Sequence, residues 1–105
     1  MSSGYALHPG AFADLDGIRN YIAQKNPDAA DRVMAEIFDK LRDLVPFRHQ
    51  GFHRPDLTSR PLRFILVREY LIAYAPDENP VWVVAVIHAR RNPRIMAATL
   101  RDRET

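Results

Sequence analysis

A cluster of basic and polar residues follows the last long apolar stretch of the chain: His88, Arg90, Arg91, Asn92 and Arg94. Arginine presents a planar fork of N–H donors that fits the oxygens of a phosphate or a carboxylate. The apolar stretch has the composition of a β-strand, and the end of a strand holds polar side chains at a defined position. The cluster therefore predicts a binding surface for an anionic group.

Catalysis is a second possibility for these residues, because Arg63 lies in an earlier predicted strand and could converge with them. Cleavage of RNA by its own 2′-hydroxyl needs a base, an acid for the leaving oxygen and a cation for the phosphorane. Histidine can act as base and acid, and arginine supplies the cation. A nuclease centre would combine Arg63, His88, Arg90 and Arg91. Against this, only one histidine lies near the basic cluster, whereas the reaction needs both a base and an acid. The simpler role for His88 is a hydrogen bond to a loop.

Other kinds of site find little support. The chain has no cysteine, and His49 and His53 have only Asp56 close by as a further metal ligand. Four glycines are too few for a phosphate-binding loop, and no Ser/His/Asp arrangement can be picked out. We therefore expect no metal and no cofactor.

The composition is that of a small globular protein. A chain of 105 residues with 47% apolar residues predicts one domain over residues 1–105. The net charge is +2, and all basic residues except Lys25 and Lys40 are arginine. No apolar run reaches the roughly 20 residues that span a membrane, and the start lacks a secretory pattern. We expect a cytoplasmic protein without a membrane partner.

The first half of the chain predicts a short strand and two helices. Residues 5–8 have the character of a strand, which Pro9 and Gly10 interrupt, and apolar residues then recur at helical spacing over residues 11–25. A second helix is predicted from Pro27, with Asn26 as its N-cap, to about residue 45. The tight connection makes the two helices an antiparallel hairpin.

The second half predicts a sheet. A proline-rich loop at residues 47–61 precedes three predicted strands, residues 62–67, Tyr70–Ala75 and residues 81–89, and a final helix at residues 94–103. Short connections between the strands indicate an antiparallel meander. We predict an α+β fold of order β-α-α-β-β-β with a short C-terminal helix, in which the helical hairpin packs on a small antiparallel sheet.

The predicted sheet is apolar on both faces. Strict alternation puts four residues of the last strand on each side: Val81, Val83, Ala85 and Ile87 on one, Trp82, Val84, Val86 and His88 on the other. The helical hairpin can cover only one face. The C-terminal helix, the curvature of the sheet or another protein chain must close the other.

Three segments together resemble the RelE/ParE superfamily of bacterial toxins, and in particular its ParE-like branch. The Asn-Pro turn and helix start at residues 26–33 look like the entry to the second helix of ParE-type toxins. Residues 62–74 are similar to their paired strands, and residues 84–93, ending in His-Ala-Arg-Arg-Asn-Pro, look like their last strand and its basic exit. The resemblance extends over about residues 5–100.

The resemblance implies the toxin of a type II toxin–antitoxin module. The ParE branch implies a protein that binds and poisons DNA gyrase without an active site and is neutralised by a ParD-like antitoxin. The RelE branch implies an endoribonuclease that cuts mRNA on the ribosome. No lysine follows Lys40, so the strand lysines of typical RelE nucleases are absent, which favours the ParE branch. A degenerate, non-toxic member of the superfamily is the third alternative.

These expectations assign two sets of residues. The residues expected to bind the target are Arg90, Arg91, Asn92 and Arg94. The residues expected to contact the antitoxin are Arg60, Arg63, Tyr70, Tyr74 and Trp82. An antitoxin segment that folds on binding would cover apolar side chains of the sheet and place acidic residues near the arginines.

Overall fold

The computed structural model describes residues 4–104, which form four strands and three helices. In chain order these are β1 (Tyr5–Leu7), α1 (Pro9–Ala23), α2 (Pro27–Leu44), β2 (Arg63–Val67), β3 (Tyr70–Ala75), β4 (Val81–His88) and α3 (Pro93–Asp102). The predicted order and the α+β class are confirmed, with boundaries shifted by up to two residues.

Each of the three helices begins at a proline: Pro9, Pro27 and Pro93. The preceding side chain caps the helix in every case, because proline at the first position needs no N–H partner while the following N–H groups do. His8 Nδ1 accepts from the N–H of Gly10 at 2.8 Å, and Asn26 accepts from that of Ala29 at 3.1 Å. Pro9 therefore starts α1, where the sequence suggested only an interruption.

The four strands form one sheet in the order β1-β4-β3-β2. Neighbouring pairs β2–β3 and β3–β4 are antiparallel, as the short connections predicted. The first strand pairs in parallel with β4 through residues Tyr5, Ala6 and Leu7, so the sheet is mixed. A parallel neighbour requires a long crossover connection, and α1, α2, β2 and β3 all lie between β1 and β4 in the chain.

A β-bulge interrupts the pairing of β3 with β4. Ala73 lies opposite Ala85 and Tyr74 lies opposite Val83, which leaves Val84 without a residue opposite it. An extra residue of this kind reverses the alternation of side chains beyond it.

Because of the bulge, the side chains of Val86 and Ala85 lie on the faces of β4 opposite to those predicted. Val86 packs with Val81 and Val83 in the core under the helical hairpin, whereas Val84 and Ala85 both belong to the core on the opposite face. Strict alternation is therefore wrong beyond the bulge.

The chain itself covers both faces of the sheet. On one face α1 and α2 contribute buried residues of their apolar stripes, among them Leu15, Ile37 and Leu41. On the other face Met96 and Leu100 of α3 pack with Leu57 and Leu62 of the loop before β2. Of the alternatives that the sequence left open, the C-terminal helix together with this loop closes the second face.

The helices within residues 4–104 include none that has both the length and the apolar character needed to cross a membrane.

Candidate functional site

The chain turns sharply where it leaves β4, and this turn positions the basic residues. The N–H of Arg91 donates to the carbonyl of His88 at 2.9 Å, and that of Arg90 donates to His88 Nδ1 at 3.1 Å. Asn92 then caps α3 by accepting from the N–H of Arg94 at 2.8 Å. The backbone is thus fixed by short-range hydrogen bonds, while the side chains of all four predicted target-binding residues are exposed.

The three arginines of this turn carry uncompensated charge. Among residues 4–104, none of Arg90, Arg91 and Arg94 has a carboxylate oxygen within 4.0 Å, although eight other ion pairs are present. The same turn is the N-terminus of α3, whose free N–H groups add partial positive charge. We call Arg90, Arg91, Asn92 and Arg94 the exit patch. Its charge and exposure suit an anionic surface on another molecule.

His88 lies beside the exit patch with both ring nitrogens engaged. Nδ1 accepts the N–H of Arg90, and Nε2 lies 3.6 Å from a carboxylate oxygen of Glu69. The ring meets Tyr70 edge to face, with centroids 5.6 Å apart. Burial, and then the charge of Glu69 and the neighbouring Tyr21, raise the pKa of Tyr70, so its phenol stays protonated at neutral pH.

A groove of about 450 Å³ connects His88 and the exit patch to the helices. Its walls are α1 and α3, and the end of β4 forms its floor. The polar side chains of its lining include those of Tyr21, Tyr70, His88 and Arg91, together with those of Asp14 and Arg103. The groove combines two phenols, an imidazole and an unpaired guanidinium, which can hydrogen-bond to a polar or anionic ligand.

Arg63 lies at the other end of the sheet. Arg63 pairs with Tyr74 at the end of β3, whereas His88 pairs with Tyr70 at its beginning. The guanidinium of Arg63 donates to the carbonyls of His49 and Gly51 at 3.1 and 2.8 Å. The four residues of the predicted nuclease centre are therefore not brought together.

Arg60 is also committed to the fold. Its guanidinium donates to the carbonyls of Leu100 at 2.9 Å and Arg103 at 3.4 Å, at the C-terminal end of α3. The carbonyl of Leu100 also accepts from the N–H of Arg103 at 3.2 Å, and a cation is favourable at this end because the helix dipole is negative there. Arg60 thus fastens the loop before β2 to α3.

The predicted antitoxin contacts are distributed over different parts of the molecule. Tyr74 is fully buried, and its hydroxyl accepts from the N–H of Gly51 at 3.0 Å and donates to the carbonyl of Arg48 at 2.8 Å. Tyr70 is 8% exposed under the helical hairpin, whereas Trp82 is half-buried beside the core on the opposite face. In this structure these aromatic residues do not form one surface.

The structure also reveals an ion pair that the sequence did not suggest. The carboxylate of Asp14 in α1 accepts from both terminal nitrogens of Arg103, at 2.6 and 3.1 Å. The same carboxylate accepts from the N–H of Val86 at 2.9 Å, and Arg103 donates to the carbonyl of Val84 at 3.2 Å. The one available signal was the position of Asp14 next to the apolar stripe of α1.

The remaining histidine candidates do not gather into a metal site. His49 lies 3.2 Å from Asp77 across the loops, and within the described chain no group of three His, Cys, Asp or Glu side chains is placed to hold a metal ion.

Comparison with known proteins places this geometry in a family. Toxin ParE2 of Mycobacterium tuberculosis is 26% identical over 108 residues, covering 98% of this chain and 97% of that protein. Toxin RelE2 of Caulobacter vibrioides is 33% identical over 82 residues, covering 77% of this chain and 89% of that protein. A solved chain of the chromosomal ParDE TA system from P. aeruginosa has the same fold, with a TM-score of 0.66 at 19% identity, covering 85% of this chain and 100% of that chain.

The family match covers most of the molecule. Residues 5–93, from β1 through the exit of β4 to the first residue of α3, match the family described as the ParE toxin of the type II toxin–antitoxin system parDE. The matched residues include the four strands of the sheet, both helices of the hairpin and the exit patch up to Asn92. The chain therefore belongs to the ParE toxin family of type II toxin–antitoxin systems.

Proposed function

We propose that this toxin inhibits DNA gyrase in the cytoplasm by binding it, and that the exit patch is the part of the surface that makes the contact. The observation that carries the proposal is the set of three exposed arginines without a carboxylate partner among residues 4–104. A protein that acts by binding needs a fixed surface of unpaired charge, and it needs no converging acid and base.

The placement of the candidate catalytic residues supports binding over catalysis. Arg63 is held by two backbone carbonyls at the far end of the sheet, and both nitrogens of His88 face groups of the toxin itself. A general base must reach the proton that it removes, and a cation must reach the phosphorane. Neither condition is met by Arg63 and His88 together.

We further propose that a ParD-like antitoxin neutralises the toxin by forming a heteromeric complex with it. The support is family membership together with the neighbouring fold from a ParDE system. The surface also carries apolar side chains that a partner could cover: Phe12, Tyr21, Phe47, Phe52, Leu66 and Ile95 are each at least 42% exposed.

One observation favours a second function, a ribosome-dependent mRNA endoribonuclease. Tyr21, Tyr70, His88 and Arg91 line the same groove even though Arg63 does not reach it. Tyrosine and histidine can move protons, and Arg91 could stabilise a phosphorane. The likeness to Toxin RelE2 is compatible with this second function.

The two functions can be separated by one expression experiment. The toxin is induced alone while the supercoiling of a reporter plasmid and the integrity of cellular mRNA are followed in parallel. The test variant is Arg90→Ala/Arg91→Ala, and the matched control is Arg32→Ala/Arg101→Ala, which removes the same charge from exposed helix positions. A third variant, His88→Gln, removes the imidazole.

Gyrase binding predicts a loss of supercoiling with intact mRNA. It also predicts that growth inhibition falls sharply in the exit-patch variant, persists in the control and persists in folded His88→Gln. Cleaved mRNA together with an inactive but folded His88→Gln would instead assign the nuclease function. Normal growth with soluble wild-type protein would identify a non-toxic member of the family. Co-expression with the adjacent gene tests the antitoxin half, because a ParD-like product should co-purify with the toxin.

A further inference from the structure

The edge of β4 is covered by a strand along only part of its length. The short strand β1 pairs with Val81, Trp82 and Val83, and the N–H of His8 then bonds to the carbonyl of Val83 at 2.9 Å. From Val84 to His88, no other strand among residues 4–104 lies on this side of β4. An edge without a neighbouring strand leaves backbone N–H and C=O groups available for another chain.

The ion pair of Asp14 with Arg103 takes the place of a neighbouring strand over the first part of this edge. Asp14 accepts from the N–H of Val86, and Arg103 donates to the carbonyl of Val84. The two side chains are held to each other at 2.6 and 3.1 Å and are mostly buried. We call this ion pair the Asp14–Arg103 seal, and it ends at the N–H of Val86.

Beyond the seal, the edge of β4 faces the groove. Ala89 donates to the carbonyl of Glu69 at 2.7 Å, which fixes the hydrogen-bonding alternation between β3 and β4. In an antiparallel pair the residues adjacent to such a pair direct their backbone groups to the other side. The carbonyl of Val86 and the N–H of His88 therefore point away from β3, toward the side where the groove runs.

Gly17 of α1 lines the groove, and because it has no side chain, the space beside it is open. A Cβ built at Gly17 meets no atom within 4 Å, and the backbone there is ordinary helix. Glycine in the middle of a helix is destabilising relative to alanine. At this position it keeps the groove open beside the edge of β4.

The charge of the groove selects the ligand. Asp14 is its one lining carboxylate and is already paired with Arg103, whereas Arg91 has no carboxylate within 4.0 Å in the part of the chain that the structure describes. His88 lies next to Arg91 in the lining, and Arg90 follows it in the chain. The lining of the groove therefore carries excess positive charge, although the carboxylate of Glu69 lies 3.6 Å from His88 Nε2.

We propose that this groove binds a short, extended, acidic segment of a protein partner, which lies along the edge of β4 beyond the Asp14–Arg103 seal. Its backbone bonds to the N–H of His88 and the carbonyl of Val86, and its carboxylates contact Arg91 and Arg90. Addition of a strand to an open edge is a recurring mode of peptide recognition. The identity of the partner as the antitoxin rests on the proposed function, whereas binding of an acidic segment at this groove does not.

The test uses the full chain and three defined peptides. Each peptide is acetylated and amidated, with valine at alternate positions and glutamate, glutamine or lysine at the others. Binding is followed by NMR through the chemical shifts and exchange rate of the His88 amide. The blocking variant is Gly17→Leu, whose side chain projects into open space at the groove, and the matched control is Asn20→Leu, an exposed position of the same helix outside the groove lining.

The glutamate peptide is expected to bind, to slow exchange of the His88 amide at least tenfold and to lose at least tenfold in affinity with Gly17→Leu but not with Asn20→Leu. The glutamine peptide should bind about tenfold more weakly, and the lysine peptide should not bind. Equal affinity of the three peptides, equal affinity of the two leucine variants, or no binding of the glutamate peptide at millimolar concentration would overturn the proposal. So would groove binding by a single-stranded RNA tetranucleotide in place of the peptide. None of these results depends on whether gyrase is the target.

Discussion

Arg60 and Arg63, at the start of β2, direct their guanidinium groups to backbone carbonyls of the toxin, whereas Arg90, Arg91 and Arg94, after β4, extend from the surface without an acidic partner in the described chain. The sequence predicted that both groups bind other molecules, and that Arg63 could converge with the arginines after β4. The folded chain separates them into arginines that hold loops and arginines that remain available to another molecule.

The difference follows from where unsatisfied carbonyls occur. The carbonyls of His49 and Gly51 lie in the loop between α2 and β2, and those of Leu100 and Arg103 lie at the end of α3. Long cationic side chains reach these carbonyls. At the exit of β4 the backbone satisfies itself through the turn at His88 and the cap at Asn92. The arginines there have no structural task, so their charge is free for function.

The largest effect is expected where an arginine is both structural and mostly buried. Arg103→Ala should lower the free energy of unfolding by about 2–4 kcal/mol, because it leaves the carboxylate of Asp14 without its cation and the carbonyl of Val84 without a donor. For a domain of this size, the melting temperature should fall by roughly 10–20 °C. Thermal unfolding followed by circular dichroism measures this change.

The coupling between the two partners sharpens this prediction. Asp14→Ala alone should cost a similar amount, and the double variant should cost much less than the sum of the two, since the charges lose each other only once. Additive losses would mean that the ion pair contributes little and that the seal of β4 is held by packing alone.

An intermediate effect is expected at Arg63. Arg63→Ala removes two hydrogen bonds to carbonyls of the loop and should cost about 1–2 kcal/mol. The loss should appear as faster amide exchange in residues 47–61 while the helices stay protected. The matched control is Arg54→Ala. Among residues 4–104, the guanidinium of Arg54 donates hydrogen bonds only to the carboxylate of Asp56 in the same loop. A slower or unchanged exchange in the loop would contradict a structural role for Arg63.

A small effect on stability is expected at the exit patch. Arg90→Ala/Arg91→Ala should change the free energy of unfolding by about 0.5 kcal/mol or less, because both side chains are exposed and have no carboxylate partner in the described residues. Urea unfolding checks this value independently of toxicity. A loss comparable to that of Arg63→Ala would place these arginines with the structural group and remove the basis of the proposed binding surface.

Much of the fold could be read from the sequence because its signals are local. An Asn-Pro pair marks the start of α2 and of α3, the apolar stripe of α2 has helical period, and short turns separate β2, β3 and β4. The bulge at Val84 could not be read, since the strand is apolar at every position and gives no pattern that a shift would disturb.

The candidate site was harder to predict because its contacts are distant in the chain. The exit patch is contiguous and was found, whereas Asp14 and Arg103 are 89 positions apart and meet only through the packing of α1 and α3. The roles of Arg60 and Arg63 depend on carbonyls at residues 100, 103, 49 and 51, which no local pattern connects to them.

The smallest effect concerns Arg68, which tests whether an exposed arginine with a partner behaves differently from an exposed arginine without one. Arg68 donates to both carboxylate oxygens of Glu36 at 2.7 and 2.6 Å, and this hydrogen bond is the main cause that lowers the pKa of Glu36. A folded pKa below the unfolded value adds stability above the unfolded pKa, and that stability is lost as the pH falls through the folded pKa. Arg68→Gln should therefore raise the pKa of Glu36 and reduce this contribution above the unfolded pKa, whereas in acid, below the folded pKa, the wild type and the variant should have the same stability.

An NMR titration of the side-chain carboxyls measures the pKa directly. Asp56 is the internal control, because its pKa is lowered chiefly by its own hydrogen bond with Arg54 and should not move. Arg68 has a left-handed backbone, with φ of 53°. Glutamine, like arginine, is unbranched at Cβ, so the substitution leaves the backbone strain in the turn between β2 and β3 unchanged. The melting temperature at neutral pH should hardly change, since exposed ion pairs contribute little to stability. An unchanged pKa of Glu36 would mean that the ion pair of Arg68 with Glu36 does not persist in solution. Exposed arginines of this protein, paired or not, would then be equally available to a partner.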